Sequence, residues 1–447
     1  MNTPYDLLIH GGTIVTVNPA FDIVEDGMLG IVKDRIAAVA TVPESDRLPP
    51  ANRYIDAAGC LVIPGLVNSH THLPMSLFRG LADDLPLHEW LHNHIFPAEA
   101  RFIDEKTVCS GTRLSCAELI LSGTTTCCDG YFYESEVAES VRQSGMRAVL
   151  GQGIVDFPAP GVPEPDKNIS NAVAFANRWL SRCERIRPSL FCHSPYTCSA
   201  ETLQKAKTAA DDNRLLFQIH VAETQQEMQQ IRSEHNATPI EYLDRLGLLD
   251  QRTLLVHCVW MDNKDIRTVA RSGARISHIP ESNLKLAAGI APADLILQAG
   301  IRLGIGTDGC ASNNNLDLFE AMDLCAKLHK VHSGDPTTMN ARKILELATI
   351  GGASAIGLDQ QIGSIETGKK ADIVIIDLGQ PHLTPMYHPE SHLVYTARGS
   401  DVKTVIIDGQ TVLENGRLLT MDLEEVMAAA NRVAGKIKHS GYWKLDS

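Results

Sequence analysis

The sequence predicts a (β/α)8 barrel carrying a small β-sandwich assembled from both chain ends. Three observations predict it. In the middle of the chain, short apolar runs alternate with segments of helical periodicity, the signature of repeated βα units. There are eight such runs, the number that closes a barrel rather than leaving an open sheet. At both ends the texture changes to short strands punctuated by Gly and Asp turns. A chain of 447 residues accommodates one barrel and a satellite.

Residues 1–60 form the first part of the predicted sandwich, with strand-like runs at Asp6-Leu7-Leu8-Ile9-His10, Thr13-Ile14-Val15-Thr16-Val17 and Ile36-Ala37-Ala38-Val39. The barrel is expected over 61–364, its strands at 61–67, 124–128, 148–155, 189–192, 215–219, 253–256, 274–277 and 301–305. Helical patterns fill the intervals, for example 200–211, 225–246 and 316–328. Strand texture returns over 365–421 in Ala371-Asp372-Ile373-Val374-Ile375-Ile376-Asp377 and Val402-Lys403-Thr404-Val405-Ile406-Ile407, completing the sandwich. The remainder, 422–447, reads as a helix rich in Ala, Glu, Val and Met, followed by a short tail.

Reactive groups of such barrels stand at the C-terminal ends of the strands, so the residues after each run carry the functional question. The first run leads through Asn68-Ser69 into His70-Thr71-His72. In an extended backbone, residues two apart point the same way, so both imidazoles can face one ion. The fourth run ends at His193, the fifth at His220 with Glu223 three residues on, the sixth at His257 and the seventh at His278. The eighth ends in Gly306-Thr307-Asp308-Gly309. Singly, each of these is an ordinary hydrogen-bonded rim residue; together they place a histidine or aspartate after six of eight strands.

The set resembles the amidohydrolase superfamily, and within it the 5′-methylthioadenosine/S-adenosylhomocysteine deaminase group. The likeness is carried by Pro64-Gly65-Leu66-Val67-Asn68-Ser69-His70-Thr71-His72, His193-Ser194-Pro195-Tyr196, His220-x-x-Glu223, His257-Cys258, Ser282-Asn283-Leu284-Lys285-Leu286 and Gly306-Thr307-Asp308-Gly309-x-Ala311-Ser312-Asn313-Asn314. It continues into 368–372, where barrel returns to sandwich. The resemblance implies a metal-dependent deaminase that converts the 6-amino group of an adenine nucleoside to the inosine-type product and ammonia. Methylthioadenosine, S-adenosylhomocysteine and adenosine are the candidate substrates.

It further implies one divalent ion per chain on His70, His72, His220 and Asp308. The expected ion is zinc, with iron and manganese as alternatives. Glu223, His257 and Asp308 are the implied catalytic groups; Glu99, His193, Glu223 and Asp308 the implied substrate contacts, Glu99 for ribose hydroxyls and His193 for the base. His278 is expected to be structural. One departure stands out: Gln152 occupies a position where the family has a substrate-contacting arginine, and the proline-rich loop 157–168 also differs. The alternative within the superfamily is a deaminase or dechlorinase of a purine base, pterin or triazine. Outside enzymology the alternative is a scaffold barrel, which would be expected to have lost metal ligands.

Composition narrows the partners. Acidic residues number 54 against 40 basic ones, and no Lys/Arg run stands out, which disfavours nucleic acid and anionic membrane surfaces. No run reaches the ~18 apolar residues of a membrane span. The 11 cysteines are scattered and never in C-x-x-C spacing, and the opening residues lack a leader pattern, so a reducing cytoplasm and a small-molecule substrate are expected. A homo-oligomer is expected by analogy alone. Two motifs are decoys. His88-Glu89-Trp90-Leu91-His92 matches the zinc-peptidase pattern but sits in an insertion, and Gly304-x-Gly306-x-x-Gly309 matches a dinucleotide fingerprint but follows the eighth strand and encloses Asp308.

Overall fold

A computed structural model describes residues 4–43 and 48–442. Residues 1–3, 44–47 and 443–447, which belong to the expected end segments, lie outside the described residues. The first segment supplies β1 (Leu7–Val15), β2 (Ile23–Val32), β3 (Arg35–Thr41), β4 (Tyr54–Asp56) and β5 (Cys60–Pro64). The barrel strands are β6 (Leu66–Thr71), β7 (Thr124–Tyr131), β8 (Arg147–Ile154), β9 (Ile186–Cys192), β10 (Leu216–Val221), β11 (Thr253–His257), β12 (Arg275–His278) and β13 (Leu303–Ile305). The chain then returns as β14 (Ile373–Asp377), β15 (Val402–Ile407), β16 (Gln410–Glu414) and β17 (Arg417–Leu418).

Strands β6 to β13 pair in parallel, each with its successor, and helices cover their outer face. Residues of β7 and β8 are buried throughout, as expected of parallel strands packed on both sides. The barrel is nearly closed. Where β13 meets β6, side chains take over from the ladder: Asn68 accepts from the Thr307 amide at 3.1 Å and donates to Thr307 Oγ1 at 2.7 Å. The Asp308 amide also donates to the His70 carbonyl at 3.1 Å. The glycines of the apparent dinucleotide fingerprint serve this seam. A Cβ on Gly304 would stand 2.9 Å from Ser69 Cβ, and one on Gly306 2.8 Å from the His70 nitrogen.

The end strands form one nine-stranded sheet in the order β17-β16-β15-β14-β5-β1-β2-β3, with β4 beside β1. The sheet curls so that the Ile36 amide donates to the Lys369 carbonyl and the Gly368 amide to the Ile36 carbonyl, enclosing Leu29, Ile31, Ile36, Ile373, Ile375 and Ile406 in its own core. Its continuity divides the run expected as the first barrel strand. Residues up to Pro64 pair with β14 in the end sheet, and those from Leu66 with β7 in the barrel. The crossing falls at Gly65, where a Cβ would lie 2.1 Å from Thr125 Oγ1.

A buried ion cluster joins the two parts. Arg147 at the start of β8 clasps Asp372 through Nε (2.8 Å) and Nη2 (3.1 Å) and reaches Asp408 at 3.1 Å. Lys370 bonds Asp408 at 3.0 Å and also Asp34. The helix expected over 225–246 is two helices, Gln225–His235 and Pro239–Arg245. Asn236 ends the first in the left-handed region (φ 49°), and Thr238 opens the second with a capping box. Near the C-terminus, Leu423–His439 is capped by Asp422 and packs on the helix Glu105–Leu121. No described helix is long and apolar enough to cross a membrane.

Candidate active site

At the C-terminal mouth of the barrel the eight predicted site residues come together. His70 on β6 and His220 on β10 present their Nε2 atoms to one another at 3.1 Å. His72, just past β6, places Nε2 3.2 Å from Asp308 Oδ1, and the same oxygen lies 3.7 Å from His70 Nε2. Ligand atoms of His70, His72 and His220 all fall within 4.8 Å of one another. The tautomer of His72 is set from behind, where Nδ1 donates to the Gly130 carbonyl at 2.6 Å, leaving Nε2 for the centre.

Three clustered imidazole nitrogens, with an Asp308 oxygen against two of them, are a donor set suited to a zinc-class cation, and the Asp308 charge favours a positive charge beside it. Burial opposes charging of His72, yet the hydrogen bond and charge of Asp308 outweigh it and lift the imidazole to about 9. Burial works against ionisation of Asp308 as well, but His72 holds its carboxyl well below the usual range. Burial, reinforced by neighbouring imidazoles, keeps His70 and His220 far below their ordinary value and so in the ligating, neutral form.

Around this cluster lies a cavity of roughly 690 Å³ with its open mouth included. Seven of the predicted residues line it: His72, Glu99, His193, His220, Glu223, His257 and Asp308; His70 is sealed beneath. Its remaining wall is mostly apolar, with Trp90, Phe96, Phe132, Phe191 and Leu286. Glu223 stands 3.8 Å from His257 Nε2, and burial followed by the charge of Asp308 pushes its carboxyl up to about 8. His193 is held by Thr197 Oγ1 at 3.0 Å and lowered to about 3, chiefly by burial and then by His72.

Backbone conformation aims these side chains. Ala222 (φ 53°), His257 (φ 74°) and Asp308 (φ 66°) adopt left-handed geometry just where their strands end. Such conformations cost of order 1–3 kcal/mol each and persist because neighbours hold them. Glu227 accepts from the amides of Ala222 and Glu223, both at 2.8 Å, and clamps the turn that carries Glu223. The supporting partners escaped sequence reasoning. Tyr131 donates to Glu99 Oε1 at 2.6 Å, Asn283 Oδ1 accepts from His257 Nδ1 at 2.9 Å, and Ser282 donates to Asp308 Oδ2 at 2.7 Å. Ser282 and Asn283 sit in the Ser-Asn-Leu-Lys-Leu motif, which was the available signal.

Other expected features sit apart from the cluster. His278 is buried 3.0 Å from His329 and lines no part of the cavity. Gln152 is turned away, its Oε1 accepting from the Glu134 amide at 3.2 Å, while its neighbour Gly153 faces the cavity. His88 and His92 stack at 4.2 Å beside an outer groove, with Glu89 exposed to solvent.

The amidohydrolase family model matches residues 61–412. The chain is 45% identical over 433 residues to a 5-methylthioadenosine/S-adenosylhomocysteine deaminase of Syntrophobacter fumaroxidans, covering 97% of this chain and 98% of that protein. It is 44% identical over 418 residues to a 5′-deoxyadenosine deaminase of Methanothermobacter thermautotrophicus, covering 92% and 95%. Among solved structures, an adenosine deaminase from Xanthomonas campestris with bound zinc superposes with a TM-score of 0.95 at 36% identity, covering 98% of this chain and 100% of that one. A triazine hydrolase variant shares the fold, with a TM-score of 0.89 at 24% identity over 96% and 99% of the two chains. By sequence, architecture and the ligand cluster at its mouth, the chain belongs to the amidohydrolase family.

Proposed function

We propose that the chain is a metal-dependent hydrolytic deaminase of adenine nucleosides. The observation that carries the reading is geometric: His70, His72 and His220 cluster beside Asp308 in one cavity, with the Glu223 carboxyl 3.8 Å from His257 Nε2 in its wall, and the environments of the two carboxyls differ. Asp308, beside the imidazole cluster, stays ionised; Glu223, in the apolar wall, holds a proton to about 8. That separation is how a base and an acid are assigned in one site.

His70, His72, His220 and Asp308 would hold one divalent ion, zinc by donor preference. When bound, it would lower the pKa of the attacking water to about 7. Asp308 accepts the proton that water loses as its oxygen bonds to C6 of the purine. Glu223 delivers a proton to the ring nitrogen beside C6, so the tetrahedral intermediate forms without net charge on the ring. His257, whose Nδ1 donates to Asn283, presents its Nε2 lone pair to the O–H of the incoming water and so orients the attacking oxygen. Asp308 then passes its proton to the amino group, which leaves as ammonia. Glu223 recovers a proton from the new hydroxyl as the C6 carbonyl forms, and both carboxyls return to their starting state.

Glu99, braced by Tyr131 at one oxygen, keeps the other for the vicinal ribose hydroxyls, which favours a nucleoside over a bare base, pterin or triazine. His193 contacts the base. The 5′ group would extend toward an adjoining groove with His92, Phe157, Pro158, Ala159 and Tyr196. Neither the cavity nor this groove is lined by any Lys or Arg among the described residues. The other groove that adjoins the cavity carries Lys285, but Asp83 already holds that ammonium at 2.6 Å, so a neutral 5′ substituent is favoured over the amino-acid group of S-adenosylhomocysteine. The test is ammonia release from zinc-replete protein with methylthioadenosine, 5′-deoxyadenosine, adenosine, S-adenosylhomocysteine, adenine, a pterin and a triazine. Turnover of adenine, the pterin or the triazine in preference to every nucleoside would overturn the proposal.

A further inference from the structure

We propose a second, buried transition-metal site, formed by His278, Cys325 and His329 between the barrel wall and its helical coat. Ligand atoms of the three lie within 4.8 Å of one another, and all three residues are buried. Besides the barrel-mouth cluster, this is the other such grouping among the described residues. The two sets share no residue.

The local sequence builds this arrangement. Ser277 faces the barrel interior, its Oγ 2.6 Å from Ser69 Oγ, so the alternation of β12 sends His278 outward to the helices. Cys325 and His329 are four residues apart on the helix Leu318–Ser333, which puts them one above the other on its inward face. The Nε2 atoms of His278 and His329 then meet at 3.0 Å. Cys325 Sγ makes no hydrogen bond among the described residues.

A simple imidazole pair accounts for one shared proton and leaves the thiol idle. A cation accounts for all three donors at once: two neutral imidazoles and one thiolate are a borderline-soft set, suited to zinc, cobalt(II) or copper rather than magnesium or calcium. Binding is balanced by protons. The thiol S–H bond breaks, its proton passes to solvent, and sulfur supplies both electrons of the new metal–sulfur bond. The proton between the two Nε2 atoms moves to a ring Nδ1 or to solvent. No redox step is required. Three protein ligands leave a fourth position open.

The site would staple β12 to the helix that follows the eighth strand, and so brace the stretch carrying Ser282 and Asn283. It is structural in character, and none of its ligands lines the active-site cavity.

The experiment uses full-length protein, purified without chelator and loaded with zinc or cobalt(II). Elemental analysis is expected to find two ions per chain, and the cobalt form to show a thiolate-to-metal charge-transfer band in the near ultraviolet. Cys325→Ser should abolish that band and reduce the count to one. His220→Ala, which disables the barrel-mouth cluster, should keep the band. X-ray absorption on the unmodified zinc protein, which needs no variant, should find sulfur in the zinc shell. One ion per chain with only nitrogen and oxygen neighbours would overturn the proposal, as would a thiolate band that persists in Cys325→Ser. Neither result bears on deamination, which ammonia release reads separately.

Discussion

Glu223 can deliver a proton only while it holds one. Burial and the Asp308 charge raise this carboxyl to about 8, so its acid form prevails at neutral pH and is lost on the alkaline side. The expected kcat/KM profile falls as pH passes through about 8, and a rate that keeps rising through that region would exclude Glu223 as the acid. Glu223→Gln keeps the shape and cannot give the proton. It should lower kcat by about 10²–10⁴-fold with bound metal unchanged, as read by elemental analysis beside an ammonia assay. Asn283→Ala releases His257 from its 2.9 Å bond and should cost about 10–100-fold in kcat while the fold is retained by circular dichroism.

At the scale of elements, the sequence was legible where one physical demand governed a segment. Parallel strands buried on both faces leave continuous apolar runs, and imidazoles at their ends stand out because little else places them there. It misled where two demands met. Residues 61–67 read as one strand because β5 and β6 are both apolar, and only the three-dimensional approach of Thr125 explains why Gly65 divides them. The pattern over 225–246 carried a helical period on both sides of Asn236, hiding a break that the Thr238-Pro239 start marks chemically. Glu99 was legible only through resemblance, since nothing local shows that Tyr131 receives it; Gln152 looked like a specificity position, but strand alternation turns it away from the cavity. Arg147 joins elements far apart in sequence and was silent there. Arg147→Ala would leave Asp372 without its ion-pair partner in a buried place, while Asp408 keeps Lys370, and should destabilise by about 3–5 kcal/mol, measured by urea denaturation.

For the whole molecule, the end sheet and the barrel divide the labour: one fastens the N-terminal side of the strands, the other leaves their C-terminal side for chemistry. Substrate choice belongs to this scale, because the groove beside the cavity is built by the helix Phe96–Phe102, the 157–160 segment and the turn after β9 together. Methylthioadenosine and 5′-deoxyadenosine are expected to exceed S-adenosylhomocysteine in kcat/KM by at least about tenfold, the equivalent of ~1.4 kcal/mol for an unpaired carboxylate. Equal values across a competition series would refute a neutral 5′ preference.

The unladdered junction between β6 and β13 has a dynamic consequence. His70 stands on one lip of it and Asp308 on the other, so any cation that both of them grip acts as a clasp across the one place where the cylinder lacks continuous backbone pairing. Stripping the ion with a chelator should let that lip breathe, with faster amide deuterium uptake at 68–71 and 303–308 than at the opposite wall around β9 and β10, and re-addition of zinc should slow it again.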